Sequence, residues 1–327
     1  MKKTIDFVNV FPRNDDRKEG FEYKDIYQTV VDYSVDLGFR HTLVTVGDKR
    51  IDPWILSQHC LNYNPNFAPI IAVNPFYQHP VNVVKKIISL KSLYSSDIAL
   101  NLVTGSFFNE LKAVNDVMSF SERSERLSEF YKTIIALLEP TDSHFHGKYY
   151  QAQAAEIYPK YSFEKFKFFA TGTLPIEYKS NIHANFIQSI RPLDQMEKAN
   201  VPNSGLSIGI CVRPTREEAL REVERIYPAN RRGEMLFLMG LANNETPWNK
   251  WIKSYLEGQK AEDPLYFLKP MKNHWTAAIF LVGSYEEVAN RIKAYAELEY
   301  KFFILDFPPE EAPHIKHFLQ YFKAQEL

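Results

Sequence analysis

Short apolar segments rich in β-branched and aromatic residues alternate along this chain with longer amphipathic segments. Strands separated by helices pair in parallel, and eight such strands can close into a (β/α)8 barrel. The sequence therefore predicts an α/β protein of the (β/α)8 TIM barrel class. The predicted strands are Ile5–Phe11, His41–Val46, Phe67–Asn74, Ile98–Val103, Phe166–Thr173, Ala184–Ile190, Leu206–Val212 and Phe302–Asp306.

One stretch, at about 227–272, does not follow this alternation and carries NNETPWNKW with several large aromatic residues. We predict an insertion between strands seven and eight, placed like a lid over the end of the barrel that carries active sites. The whole chain, 1–327, is then expected to be a single barrel domain.

Local signals predict where helices begin. Asp52 followed by Pro53 has the pattern of an N-cap with proline at the first helical position. Ser119 with Glu122, Thr215 with Glu218, and Ser284 with Glu287 each have capping-box spacing. HFHGKYYQAQ is predicted to form a small hairpin that turns at Gly147.

Composition excludes several classes of protein. With 39 Lys and Arg against 40 Asp and Glu, the chain has no basic field to attract nucleic acid. Two cysteines argue against a disulfide scaffold, and no Cys/His spacing suggests zinc. No segment reaches the roughly 20 apolar residues of a membrane span, so we expect a cytoplasmic protein without membrane contact.

Polar residues follow the predicted strands, at the end of the barrel where active sites lie. The fourth strand, for example, runs into Asn101-Leu-Val-Thr104-Gly105, and a buried strand has no structural need of that amide and hydroxyl. Glycoside hydrolysis needs two facing carboxylates, and only Asp48 and Asp306 are candidates at the strand ends. No histidine lies at the strand ends for a metal site, and no strand interior offers a lysine for a Schiff base. Hydrogen-bonding groups without an acid–base pair favour chemistry performed by a cofactor.

Thr171-Gly172-Thr173 lies where the fifth strand meets a predicted helix. Free backbone N–H groups at such a junction bind phosphate. The alternative is that Thr173 is an ordinary N-cap.

Several segments together resemble the bacterial luciferase-like flavin-dependent monooxygenases, nearest to the alkanesulfonate monooxygenase type. They are DIALNLVTGSFFNEL, SERSERLSEF, FHGKYY, VRPTREEALREVERI, LVGSYEEVANRIKAYAEL and LDFPPEEA. The resemblance implies a (β/α)8 barrel with an insertion that uses O2 and reduced FMN, with the FMN delivered by a separate flavin reductase. Other branches of the family use a deazaflavin, and members are commonly homodimers or homotetramers.

The resemblance also implies roles for individual residues in cofactor binding. Asn101 would lie beside the isoalloxazine, where oxygen is activated, with Asn74 and Phe76 next to it. Thr104 would belong to the same site, unless its hydroxyl only satisfies its own turn. Thr171, Gly172 and Thr173 would hold the FMN phosphate.

Substrate contacts are expected elsewhere at the same end of the barrel. Asp48 and Arg50 would orient a polar substrate, with a surface ion pair as the alternative. An apolar subsite is expected from four aromatic residues, with barrel core as the alternative. These are Phe76, Tyr77, Trp275 and Phe307.

The chain departs from the alkanesulfonate enzymes at their substrate positions. Arg50 stands where they have Cys, Ser207 and Gly209 stand for Arg and His, and Phe307 stands for Tyr. Ser124 replaces a Tyr near the flavin phosphate. The loop that carries a further substrate-binding Arg in those enzymes is shortened here, between Trp275 and Gly283. A simple alkanesulfonate is therefore not expected as the substrate.

These observations predict an FMN-dependent two-component monooxygenase that oxygenates a small organic molecule through a flavin (hydro)peroxide. Two alternatives remain open. One is a deazaflavin-dependent oxidoreductase of the same fold, and the other is a non-catalytic flavin-binding paralogue.

Overall fold

The computed structural model describes most of the chain. The described residues are 5–12, 20–47, 50–105, 108–139, 144–152, 157–161, 163–171, 184–199, 201, 203–242, 246–258 and 263–325. Every predicted strand overlaps an observed one, and the predicted (β/α)8 barrel class is confirmed.

The strands that the structure describes are short, as is usual in such barrels. They are β1 (Asp6–Val10), β2 (Thr42–Val44), β3 (Pro69–Val73), β4 (Ala99–Val103), β5 (Phe145–His146), β6 (Gln151–Ala152), β7 (Lys167–Thr171), β8 (Ala184–Ser189), β9 (Ser204–Arg213), β10 (Tyr266–Phe267), β11 (Phe280–Ser284) and β12 (Phe302–Asp306).

The described α-helices are numbered here in chain order. They are α1 (Gly20–Asp36), α2 (Pro53–Tyr63), α3 (Pro80–Leu93), α4 (Phe108–Ala113), α5 (Phe120–Leu138), α6 (Arg216–Ile226), α7 (Arg231–Ala242), α8 (Pro247–Glu257), α9 (Lys269–Lys272), α10 (Tyr285–Glu297) and α11 (Ala312–Ala324).

The chain divides into two compact units. Unit 1 comprises 1–40, 187–243 and 251–327, and unit 2 comprises 41–186 and 244–250. In unit 1 the strands follow the order β10-β11-β9-β12-β1, and β9 pairs in parallel with both β11 and β12. An aromatic cluster of Phe7, Phe303, Phe318 and Phe322 fills the space between this sheet and α11.

Unit 2 has four parallel strands in the order β2-β3-β4-β7. All five residues of β3 are buried, as expected for a parallel strand covered on both faces. Helix α3 packs against α5 on this unit. The predicted hairpin is present as the antiparallel pair β5–β6.

The predicted helix starts are confirmed in detail. Asp52 accepts hydrogen bonds from the N–H groups of Trp54 and Ile55, and Pro53 is the first residue of α2. All three capping boxes form, at the starts of α5, α6 and α10. These signals were readable because each one depends on residues at most three positions apart.

The insertion predicted at about 227–272 contains α7, α8, β10 and the short α9. Its interpretation as a lid, and the single-domain organisation, stay predictions. Strand β11, directly before α10, was not predicted. No helix among the described residues combines the length and apolarity needed to cross a membrane.

Candidate functional site

Four of the predicted cofactor residues come from three neighbouring strands of unit 2. Asn74 follows β3, Asn101 lies within β4, Thr104 follows β4, and Thr171 is the last residue of β7. Asn74, Asn101 and Thr104 are buried although each carries a polar side chain. Buried polar groups of this kind need partners, which makes their hydrogen bonds informative.

Asn101 and Thr171 are joined directly. The register pairs Asn101 with Phe169, so Thr171 lies two residues further along β7 and its side chain points to the same face. The Thr171 hydroxyl donates to Asn101 Oδ1 over 3.0 Å. Because this bond occupies the oxygen, the Asn101 amide nitrogen is the end left to donate; no described residue accepts a hydrogen bond from it.

The turn after β3 is built around Asn74. Its Oδ1 accepts the N–H of Phe76 over 3.3 Å, and its carbonyl oxygen accepts the N–H of Tyr77 over 3.1 Å. Such an Asx turn fixes the chain just beyond the strand. The same turn meets Gly105, where a Cβ atom would lie 2.4 Å from the Phe76 ring and 2.7 Å from Asn74 Nδ2.

Gly105 has a φ of +73°, in the left-handed region that favours glycine. Its carbonyl oxygen accepts a hydrogen bond of 3.2 Å from Nε of the buried Arg123 on α5. Arg123 also donates to the carbonyl of Met118. The glycine of NLVTG and the arginine of SERSERLSEF therefore act together to hold the end of β4 against the turn after β3.

The hairpin supports the same turn from another side. The Tyr150 hydroxyl lies 3.4 Å from the Pro75 carbonyl oxygen, and its ring packs edge-on against His79 and Phe130. Burial raises the pKa of Tyr150 to about 12, so the hydroxyl keeps its proton. The sequence identified the hairpin, but only the structure shows that Tyr150 supports this turn.

Of the remaining predicted site residues, the structure describes Arg50. Asp48, Gly172 and Thr173 lie outside the described residues. Arg50 is half-buried in the turn after β2, where its N–H bonds to the Gly47 carbonyl over 3.0 Å. The Glu110 carboxylate approaches the same turn, 2.8 Å from where a Cβ on Gly47 would be.

The predicted apolar subsite divides among different surroundings. The rings of Phe76 and Tyr77 lie 4.3 Å apart at the turn after β3. Phe307 is fully buried against Tyr33 and Phe39 in unit 1, so for this residue the core interpretation is correct. Trp275 donates its indole N–H to the Pro228 carbonyl over 2.8 Å.

The structure shows the surroundings of two positions at which this chain differs from the alkanesulfonate enzymes, Gly209 and Ser124. A Cβ atom on Gly209 would lie 2.0 Å from the Phe280 ring of β11, so Phe280 takes the space of a side chain there. Ser124 is buried and its hydroxyl donates to the Phe120 carbonyl one helical turn earlier. Neither position offers a free polar group to an anion.

The described residues at these strand ends thus supply amide and hydroxyl groups on a rigid support. Among them, no cluster of three or more His, Cys, Asp or Glu residues is arranged to hold a metal ion. An arrangement of this kind can position the polar edge of a flat cofactor and exclude water from it.

Comparison with known proteins gives a family match. The family model described as luciferase-like monooxygenase matches residues 11–175, half of the chain. A curated relative is 26% identical over 267 residues, which cover 78% of each chain. It is the 4-(gamma-L-glutamylamino)butanoyl-[BtrI acyl-carrier protein] monooxygenase BtrO of Niallia circulans.

Solved structures show the same fold at low sequence identity. One is the oxygenating constituent of 3,6-diketocamphane monooxygenase of Pseudomonas putida with FMN, at a TM-score of 0.67, 14% identity and 99% coverage of both chains. Another is an F420-dependent secondary alcohol dehydrogenase with an F420–acetone adduct, at a TM-score of 0.63, 14% identity, and coverage of 97% of this chain and 98% of that one.

Proposed function

This chain belongs to the luciferase-like monooxygenase family, and we propose that it is the oxygenase component of a two-component system that uses reduced FMN and O2. Its prediction as a flavin-dependent monooxygenase is confirmed at the level of the family. The observation that carries the finer proposal is the buried Asn101 amide, held by Thr171 with its nitrogen left to donate.

Bound FMN in its reduced form would supply the electrons that activate O2. This chain would position the flavin and exclude water from it. Asn101, Asn74 and Thr104 would present polar groups to the isoalloxazine, and Phe76 would cover part of its apolar surface. Gly105 fits this role because it allows the strand ends to meet without a side chain between them.

For the FMN phosphate we propose Gly172 and Thr173, while Thr171 contributes to the cofactor site by holding Asn101. For a polar substrate group we propose Asp48 and Arg50. The substrate is a small organic molecule other than a simple alkanesulfonate. Phe280 beside Gly209 supports this limit, since it takes the space of a polar side chain that the alkanesulfonate enzymes have there.

Reduced FMN would come from a separate flavin reductase, and the oxygenase would act in the cytoplasm as a homodimer or homotetramer. A second candidate is a deazaflavin-dependent oxidoreductase, and the F420-dependent structural neighbour is the observation that favours it.

The test is an anaerobic titration of the protein with reduced FMN, oxidised FMN and reduced F420, followed by rapid mixing with O2. We expect reduced FMN to bind most tightly and to reoxidise at a rate different from that of free reduced FMN. Preference for reduced F420 would replace the proposal with hydride transfer. Absence of flavin binding would overturn the proposed function.

The substitution Asn101→Leu tests whether the flavin binds at the proposed site. We expect it to weaken reduced-FMN binding by about tenfold and to abolish oxygenation, because it removes a buried hydrogen-bonding group. Asn82→Leu, at an exposed position on α3, is the matched control and should behave like the wild type. An Asn101→Leu protein with unchanged flavin affinity would show that the cofactor is held elsewhere.

A further inference from the structure

Arg191 stands two residues after β8, at the barrel end where ligands bind. Its guanidinium lies over the ring of Trp251, 4.9 Å from the centroid. Trp251 stacks on Tyr255, with centroids 5.1 Å apart and planes at 15°, and Tyr255 meets the edge of Tyr266 at 5.8 Å. We call these four residues, all within unit 1, the Arg191 cluster.

The backbone under Arg191 is fixed at two points. The Tyr266 hydroxyl lies 3.3 Å from the Ile190 carbonyl oxygen, and the Tyr295 hydroxyl donates to the Arg191 carbonyl over 2.9 Å. The buried Pro192 follows and restricts the chain further. Arg191 therefore projects from a rigid support, as a residue that binds a ligand should.

Among the described residues of unit 1, no carboxylate pairs with the positively charged Arg191, whereas two other arginines each have a carboxylate partner. Arg213 forms a two-pronged ion pair with Glu311, at 2.6 and 2.7 Å, and Arg291 forms one with Asp263, at 2.5 and 2.9 Å. No described carboxylate forms an ion pair with Arg191.

Three carboxylates lie near the rings around Arg191 and do not change this: Asp194, Asp263 and the exposed Glu197. Asp263 already receives Arg291 and the N–H groups of Leu193 and Leu265. Asp194 is exposed and forms no ion pair with any described residue. A half-buried guanidinium without an acidic partner can bind an anionic ligand from solution.

The geometry selects the kind of anion. Stacking uses the face of the guanidinium, whereas its five N–H groups lie in its plane and stay available for hydrogen bonds. A planar carboxylate can accept two of them in parallel. The Arg191 cluster contains no second cation, which favours a singly charged carboxylate over a phosphate dianion.

We propose that the Arg191 cluster is a binding site for an organic carboxylate that carries a flat or apolar group. The guanidinium binds the carboxylate, and the Trp251 and Tyr255 rings contact the adjoining group. The site does not depend on the proposed flavin chemistry, and its ligand binding can be measured on the full chain without flavin.

The experiment compares benzoate with benzamide, which has the same shape and no charge, in titrations followed by ligand-observed NMR at low ionic strength. We expect the wild type to bind benzoate at least about tenfold more tightly than benzamide, the range for a hydrogen-bonded charged group. Arg191→Met should lose this preference, and Arg191→Lys should keep part of it because a lysine retains the charge but not the fork.

Arg221→Met, at an exposed arginine of α6, is the matched control and should leave benzoate binding unchanged. Equal affinity of the wild type for the two probes, or unchanged benzoate affinity in Arg191→Met, would overturn the proposal. So would a wild type that binds neither. Titration of each variant with reduced FMN separates this result from the proposed function, since that binding should not change.

Discussion

At the scale of single residues, Gly105 shows why the NLVTG motif needs glycine at its last position. It combines a left-handed backbone with a close approach to Phe76 and Asn74. Gly38 also has a left-handed backbone, with a φ of +72°, but a Cβ atom added to it would meet no other atom within 4 Å. Replacing each glycine by alanine therefore separates two contributions to the free energy of unfolding. Gly38→Ala measures the left-handed backbone alone, and Gly105→Ala measures it together with the close contact.

Gly38→Ala should lower the free energy of unfolding by about 1 kcal/mol, the cost of a left-handed alanine. Gly105→Ala should lower it by at least about 2 kcal/mol, because Phe76 and Asn74 must also move. Urea unfolding of both variants measures the difference. Gly105→Ala should in addition weaken reduced-FMN binding, while Gly38→Ala should not. Equal losses of stability in the two variants would mean that the contact around Gly105 is relaxed.

The sequence could identify the polar residues of the candidate site but not their arrangement. Asn101 and Thr104 were recognisable because an amide and a hydroxyl are unexpected near the end of a buried strand. The hydrogen bond from Thr171 to Asn101 depends on the register between β4 and β7, which no local pattern specifies. For the same reason the role of Arg123 as a support for Gly105 was not predicted.

At the scale of elements, a feature could be predicted from the sequence when the residues that form it lie close together in the chain. Capping boxes were predicted because their partners are three residues apart. Strand β11 was missed because Phe280–Ser284 directly precedes a strong helix start, and only its pairing with the second half of β9 identifies it as a strand. Long-range pairing of that kind leaves little trace in a single sequence.

The attachment of the β5–β6 hairpin to α5 is another long-range feature. The Glu129 carboxylate accepts three backbone N–H groups of the hairpin, from Lys148, Tyr149 and Tyr150, at 2.9, 2.6 and 2.6 Å. Gly147 lies so close that a Cβ there would be 2.2 Å from the carboxylate. Glu129 thus holds the hairpin that places Tyr150 under the turn after β3.

Glu129→Gln should detach this hairpin. An amide offers one acceptor oxygen instead of two, so at least one N–H group loses its partner, at a cost of about 2 kcal/mol. Hydrogen exchange over 145–152 should become faster, and reduced-FMN binding should weaken. Glu125→Gln is the matched control, because Glu125 contacts exposed side chains of the same hairpin, the Lys148 ammonium and the Tyr149 hydroxyl, and none of the three backbone N–H groups. Unaltered exchange in Glu129→Gln would show that other contacts hold the hairpin.

At the scale of the whole molecule, the two ends of the parallel strands have different tasks. Candidate ligand residues follow the carboxyl ends, whereas His41, Asp97 and Lys167 gather at the amino ends of β2, β4 and β7. His41 Nε2 lies 3.2 Å from the Asp97 carboxylate, and Lys167 forms an ion pair with it. In this fold, interactions at the amino ends of the strands contribute to stability rather than to catalysis.

The nearby His41 imidazole and the ion pair with Lys167 hold the pKa of Asp97 well below its usual value. A carboxyl whose pKa is lowered by folding stabilises the folded chain above its unfolded pKa of about 3.9, and that stability is lost as the pH falls through the folded pKa. Because Asp97 is partly exposed, solvent screening reduces the effect to about 1 kcal/mol.

Asp97→Asn should therefore lower the free energy of unfolding by about 1 kcal/mol at pH 7, and the difference from the wild type should shrink progressively as the pH falls from about 5 to 2, towards the lowered pKa of the folded state. Urea unfolding across this range measures it. Asp36→Asn, exposed at the end of α1, should lie close to the wild type throughout. A loss in Asp97→Asn that has not shrunk at all by about pH 2 would point to packing instead of charge, because protonation of the unfolded chain below its pKa of about 3.9 should already have removed part of the charge-dependent stability.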